Sequence, residues 1–436
     1  MAEAKLTRRM AGMVQVGLSD ARFEETPDVR DPKGQRWRLG TLLRTATVGL
    51  MAGKKSLATI EAMTKKLSVG IRRCLGIWRR VPDTTLRDAL ARVLPDSLRG
   101  RLPAQMKAAW RRKALEPDGF PFGVVSLDGK ATALPTWDNH YAERRTYEDK
   151  KGAYGLLRTI SCCLVSAAAK VCLDAIPLLA GTNEVGFYQE ALRQLLATFG
   201  KGLFRLLSYD AGGCSEENAD FTISQGLDYL FAIKGNQPGI LEVMRRYLGK
   251  KSPEQAAHFS EDVLSNKNVV TRRIFLIQKQ PLFRWSHART FIRVDSEIRD
   301  PKGALVQQKT SSGKWLDSVT RYFLSSMETA ALTPAQWLLV IRRHWAVENN
   351  LHGTLDVAFE EDDFPFMPSS PQGSLNVMLL RRIAYNSLAL FRSRTCRSEE
   401  RRRTPWAELF DDLYVALVSA TVGDLAGLRK RVAVTS

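Results

Sequence analysis

The segments Val124-Val125-Ser126-Leu127-Asp128-Gly129-Lys130 and Leu206-Leu207-Ser208-Tyr209-Asp210-Ala211-Gly212-Gly213 decide how this chain folds. Each is an apolar β-run that closes on an aspartate with glycine close behind, which sets a carboxylate at the rim of a sheet. A single Asp of this kind is most often a turn residue bonded to its own backbone. Two of them, each behind a strand, form a candidate pair. Asp128 and Asp210 offer hard oxygen ligands without supporting His or Cys, a donor set for Mg2+ or Mn2+ and not for Zn2+.

Working outward, residues 156–165 and 171–176 read as two further strands. A helix is expected from Thr182 or Asn183 to Phe199, a strand over 203–209, a helix over 215–225 and a strand over 229–233; Pro238 opens another helix. Strands followed by alternating helix and strand make an α/β layout with a mixed sheet. Residues 259–330 interrupt it with strand-like runs at 269–278, 290–298 and 319–325. A helix from Pro334 to about Val357 follows, then a helical C-terminal region with basic residues Arg392, Arg394, Arg397, Arg401, Arg402 and Arg403. The first 120 residues read as helical, with Ser56 and Thr84 or Thr85 as caps. The expected division is a basic helical domain (1–120), a core in two parts (121–258 and 331–395), a strand-rich insertion (259–330) and a C-terminal region (396–436).

The 436 residues carry 65 Lys+Arg against 46 Asp+Glu, a net charge of +19, of which residues 1–120 hold +13 (25 basic, 12 acidic). A chain this long exceeds one typical core, and 44% apolar with 25% charged residues is an ordinary globular composition. The longest apolar stretch, 160–179, is cut by Lys170 and Asp174, so no transmembrane helix is expected. The start MAEAKLTRRM has no apolar segment, so no secretory signal is expected. Six cysteines form no C-x-x-C pair; neither a disulfide framework nor structural zinc is expected, and a reducing cytoplasm fits. Cys162, Cys163 and Cys172 read as core residues. The positive charge favours a polyanion, and nucleic acid is the usual one. A membrane surface would call for a basic amphipathic helix, and none is evident.

The third element is the segment 342–356, RRHWAVENNLHGTLD. On a helix Trp345, Glu348 and His352 fall on neighbouring faces, so Glu348 can be lowered onto a sheet edge. Taken together, "DGK" at 128–130, "YDA" at 209–211, "FAIKGNQP" at 231–238 and "RRHWAVENNLHGTLDVAFEEDD" at 342–363 resemble the DDE transposases of bacterial insertion sequences, in particular the H-repeat-associated group. The N-terminal "DPKGQRWRLGTLLRTATVGLMAG" resembles that group's leading helical domain, so the likeness covers roughly residues 28–395. It implies a ribonuclease-H-like mixed-sheet core in which the first and fourth strands are adjacent. It also implies a metal-binding triad of Asp128, Asp210 and Glu348, two Mg2+ or Mn2+ ions, and strand cleavage and transfer on double-stranded DNA at transposon ends and target. Assembly as a homodimer or larger complex on DNA, in the bacterial nucleoid and away from membranes, is a further implication.

This chain departs from the pattern in two places. Its second aspartate is followed by "AGGCSEENA" instead of a His/Gln-containing segment. Where related enzymes place Tyr and Arg seven and four residues before the catalytic Glu, it has Ile341 and His344, which leaves His344 or Arg343 to contact phosphate. Other candidate DNA contacts are Lys130, Lys234, Arg342, His352 and the basic pairs Lys54-Lys55, Arg72-Arg73 and Arg79-Arg80. Trp285 and Trp315 read as core residues first and as base-stacking platforms second. The competing functions are a nuclease of the same fold that cuts without joining, and a domesticated DNA-binding protein.

Overall fold

The computed structural model describes residues 2–148, 151–182, 185–279, 283–309, 313–396 and 398–423. In chain order its helices are α1 (Ala2–Ala21), α2 (Leu39–Met51), α3 (Leu57–Lys66), α4 (Val69–Leu75), α5 (Asp83–Arg92), α6 (Pro95–Arg99), α7 (Arg101–Arg111), α8 (Tyr188–Phe199), α9 (Glu216–Ser224), α10 (Pro238–Leu248), α11 (Pro334–His344), α12 (Gly353–Val357), α13 (Pro371–Leu390), α14 (Glu399–Arg402) and α15 (Trp406–Ser419). The strands are β1 (Val124–Leu134), β2 (Ala142–Thr146), β3 (Ala153–Leu164), β4 (Val171–Leu178), β5 (Leu206–Tyr209), β6 (Asp228–Ile233), β7 (His258–Val263), β8 (Val269–Gln278), β9 (Thr290–Arg299), β10 (Gln308–Lys309), β11 (Trp315–Leu316) and β12 (Ser318–Ser325). The chain divides into two compact units: Met1–Glu116, Gly129–Glu184 and Val347–Ser436 form the first, Pro117–Asp128 and Val185–Ala346 the second.

The first unit is organised around α13. Ser370 caps it through the Gly373 amide and Pro371 opens it. It is buried on every side, as a core helix must be. Helices α1, α2, α5, α6 and α7 and strand β4 pack on it. This differs from a separate N-terminal domain ending near residue 120: the apolar faces of the leading helices are covered by a helix some 300 residues later. Strand β3 pairs antiparallel with β2 over its first half and with β4 over its second. Arg99 of α6 holds Asp174 of β4 through two hydrogen bonds of 2.8 and 2.5 Å. Ser56 caps α3 as expected. Helix α5 starts at Asp83 instead of behind a threonine cap, because the Asp83 amide donates to Glu61 Oε2 at 2.8 Å.

In the second unit β1, β5 and β6 run parallel, and β12, β9, β8 and β7 extend the sheet antiparallel in that order. The strand-rich insertion therefore continues the sheet that carries the two aspartates, since Tyr322–Ser325 of β12 pair with Leu230–Ile233 of β6. Trp285 is buried beside Phe283, a core residue as first read, while Trp315 is exposed on the β10–β11 pair. Helix α8 begins at Tyr188 after a 3-10 turn, later than expected; Asn183 and Arg397 lie outside the described residues. The helix expected from 334 to 357 ends at His344, followed by a π-helical turn (Val347–His352) and short α12. All six cysteines are free, and Cys162, Cys163 and Cys172 are core residues. Among the described residues no helix is long and apolar enough to cross a membrane.

Candidate active site

In the second unit three parallel strands run side by side towards one rim, β5 and β6 ending there and β1 passing through it, and each carries or is followed by a charged residue. The β1–β5 register runs from Val124 opposite Leu206 to Leu127 opposite Tyr209, so Asp128 and Asp210 directly follow the last paired residues. Strand β1 does not end at Asp128, as the sequence suggested, but continues to Leu134. The rim exists because β5 stops at Tyr209. Strand β6 pairs with β5 up to Phe231 opposite Tyr209, and Lys234 follows its end. The Lys234 ammonium lies 3.0 Å from Asp210 Oδ2, which gives this lysine a partner at the rim. The turn after Asp210 depends on Gly213, where a Cβ would lie 1.7 Å from the Tyr209 ring.

Beneath the aspartates sits a brace that the sequence reading missed. Ser126 and Ser208 are cross-strand neighbours, each two residues before its aspartate. His344 Nδ1 lies 3.1 Å from Ser126 Oγ and 3.2 Å from Ser208 Oγ, and the Ser126 hydroxyl donates to the His344 carbonyl at 3.0 Å. The repeated Ser-x-Asp pattern was the available signal. His344 is buried, which removes it as a surface contact for phosphate. Burial pushes its pKa down to about 4, against the opposing pull of Asp210 and Asp128. Its value in the unfolded chain, near 6.5, is higher, so the neutral ring stabilises the fold fully above that pH. That contribution is lost as pH falls through 6.5 towards 4, up to about 3 kcal/mol. His344→Asn is expected to flatten the loss of stability between pH 7 and 4 by this amount in urea unfolding. Parallel pH profiles for the two proteins would rule out the buried neutral imidazole.

Beyond His344 the chain passes Trp345, set edge-on against Phe323 of β12 at 5.8 Å, and enters the first unit at Val347. The four candidate carboxylates Glu348, Asp356, Glu360 and Glu361 follow, ahead of Asp362 and Asp363. Asp356 Oδ1 accepts from Lys130 at 2.5 Å, and Lys130 also faces Asp362 at 3.3 Å. Burial raises the Asp356 pKa in spite of Lys130. Glu360 pairs with Lys55. Glu361 is fully buried and bonded by both terminal nitrogens of Arg382 at 2.7–3.1 Å. Three of the four are thus bound to cations of the first unit, and Glu348 is exposed in the π-helical turn. That turn packs on β3, with His352 Nε2 2.9 Å from Ser161 Oγ. Among the described residues no group of three or more His, Cys, Asp or Glu side chains is gathered to hold a metal.

The other candidate DNA contacts are mostly engaged within their own unit. Lys130 and His352 are buried. Lys54 lies over the Tyr414 ring at 3.8 Å, Arg72 donates to the Lys65 carbonyl at 2.6 Å, and Arg80 pairs with Glu61 at 2.9 Å. Arg342 pairs with Asp262 at 2.8 Å and Arg343 with Asp118 at 2.9 Å. Arg73 is exposed, and Arg79 lies beside Trp37, on which the exposed Trp78 stacks.

The chain is similar to three curated proteins of Escherichia coli. It is 28% identical over 247 residues to YbfL of strain K12, described only as a "putative protein". It is equally similar to the K12 protein named "H repeat-associated putative transposase YhhI". Each of these matches spans 55% of this chain and 57% of the relative, little more than half of its length. A third, "Putative transposase YncI" of O157:H7, is 24% identical over 353 residues, 77% of this chain and 78% of that one. These relatives support the transposase resemblance carried by the motifs. No family model matches. Among solved structures the chain is similar to a piggyBac transposase in a synaptic complex with hairpin DNA, at 14% identity and a TM-score of 0.41 over 99% of this chain and 81% of that one, a likeness too loose to carry a point about fold or chemistry.

Proposed function

We propose that the chain is an insertion-sequence DNA transposase that cleaves DNA at transposon ends and joins them to target DNA, with Asp128, Asp210 and Glu348 as its metal-binding carboxylates. The observation that carries this reading is the strand register that sets Asp128 and Asp210 side by side. The relatives named as transposases support it independently. The donor set fits a hard divalent cation: two carboxylates leave neighbouring strands, and the Lys234 ammonium already serves as a cation against Asp210. Held by those carboxylates, two Mg2+ or Mn2+ ions supply Lewis-acid stabilisation of the attacking and leaving oxygens at phosphorus. The chain's own residues position and balance the site. The strand pairing orients both aspartates, neutral His344 braces the serines beneath them without adding charge, and Lys234 offsets part of the negative charge and is exposed enough to meet a phosphate oxygen. Double-stranded DNA is the partner, bound by a dimer or larger assembly in the cytoplasm of a bacterium.

Purified protein incubated with DNA carrying the sequences that flank its reading frame, and with a target plasmid, is expected to cut and join in Mg2+. Cleavage that persists in EDTA excludes the mechanism; cutting without joining of a pre-cleaved end leaves the nuclease, and binding alone leaves the DNA-binding protein. Within this reading Glu348→Gln is expected to remove cleavage with the fold intact. Asp356→Asn, which takes one of two carboxylates from buried Lys130, is expected to lower the melting temperature yet leave cleavage measurable. The reverse pattern in folded variants would assign the third ligand to Asp356.

A further inference from the structure

Between the β3–β4 turn, the C-terminal end of α13 and α15, the first unit holds a cleft of about 330 Å³. That volume lies at the lower end of small-ligand sites and exceeds what a bare phosphate needs. Lys170, Arg392 and Arg402 line it, and no carboxylate does among the described residues. The two arginines are oriented by backbone carbonyls and a ring, which do not cancel their charge. Arg392 lies over the Trp406 ring at 4.7 Å and donates to the Arg402 carbonyl through Nε at 3.2 Å and Nη2 at 2.9 Å. Arg402 Nε donates to the Cys396 carbonyl at 2.9 Å. Behind them Tyr385 stacks on Trp406 and donates to the Lys170 carbonyl at 3.1 Å. Burial lowers the Arg392 pKa, a penalty that a bound anion relieves. Asn350, two residues beyond Glu348, lines the same cleft. Meanwhile His344 and Arg343, the residues left for phosphate contact ahead of Glu348, are tied to Ser126 and Ser208 and to Asp118.

We infer that this cleft binds a phosphate of a DNA strand, with Arg392 and Arg402 as its cations and Asn350 linking it along the chain to the turn that carries Glu348. The identity of the ligand as DNA rests on the function proposed above; the cleft's preference for an anion does not. Planar guanidinium groups held by backbone carbonyls are preorganised for phosphate oxygens.

The test is calorimetric titration of the full-length protein, in EDTA and low salt, with a 5′-phosphorylated single-stranded tetranucleotide, the same tetranucleotide without the phosphate, and inorganic phosphate. The phosphorylated strand is expected to bind tightest. Arg402→Gln, at an exposed position, is expected to weaken it roughly 10-fold, the worth of one charge-assisted hydrogen bond. Arg402→Lys should recover part of the loss, and Asp128→Asn should leave this binding unchanged. Equal affinity of Arg402→Gln and the unaltered protein, or no preference for the phosphorylated strand, would overturn the site. Inorganic phosphate binding as tightly as the strand would overturn DNA as the ligand. Cleavage surviving in Asp128→Asn would instead overturn the catalytic reading and leave the titration result standing.

Discussion

Asp128→Asn and Asp210→Asn are each expected to lower Mg2+-dependent DNA cleavage by on the order of 10³-fold, at least the effect of deleting one group that stabilises charge in a transition state. An amide is a poor ligand for a hard cation. Lys234, which faces Asp210 at that rim, carries the wrong sign to stand in for either aspartate. DNA binding should survive, because the positive charge that attracts DNA is spread over the chain and concentrated in residues 1–120. The fold should survive as well, since the β1–β5 pairing is made by Val124–Leu127 and Leu206–Tyr209 and not by the aspartates. Cleavage assays with gel-shift controls and circular dichroism of both variants give the answer. Retention of cleavage by either folded variant would sink the proposed site.

The largest expected effect on stability is at Arg382 and Glu361. Both side chains are fully buried in the first unit, and the guanidinium grips the carboxylate through Nη1 and Nη2 while Nη1 also donates to the Met378 carbonyl at 2.8 Å. Burial works against the Arg382 charge, and the Glu361 carboxylate overrides it, so the pKa is raised. Glu361→Gln or Arg382→Met alone strands a buried charge and is expected to cost about 3–5 kcal/mol in urea unfolding. Replacing both by apolar residues of similar size should recover most of that, because the desolvation penalty disappears with the charges. A single-variant loss below about 1 kcal/mol would mean that water reaches the pair.

Local pattern carried a good part of this structure. The strands ending at Tyr209 and Ile233, the Ser56 cap and the placement of Asp128 and Asp210 behind β-runs depend on residues within one turn or strand of each other. Branched residues, glycine and capping hydroxyls act over that range. The Ser-x-Asp repeat at 126–128 and 208–210 was also present in the sequence, but its use was hidden until His344, some 136 and 218 residues later, was found bonded to both serines.

Other features needed the folded chain. Glu360 and Glu361 are adjacent in one acidic run, and only tertiary packing assigns Lys55 to the first and Arg382 to the second. The helix expected to run to Val357 stops at His344, whose ring and carbonyl meet the serines, and Trp345 just beyond it packs on β12, constraints that no helix propensity encodes. The insertion joined the sheet because β6 had an edge that β12 could pair. The leading helices are not a free domain because Asn376 and Gln372 of α13 reach the carbonyls of Leu90, Ala91 and Val93, and α13 covers their apolar faces. The sequence alone therefore determined which short segments could be strands, caps and acidic rims. Register, burial and charge pairing decided which of those residues meet in the fold, because each is an interaction between residues distant in the chain, whose strength depends on a shared, desolvated neighbourhood that exists only after folding.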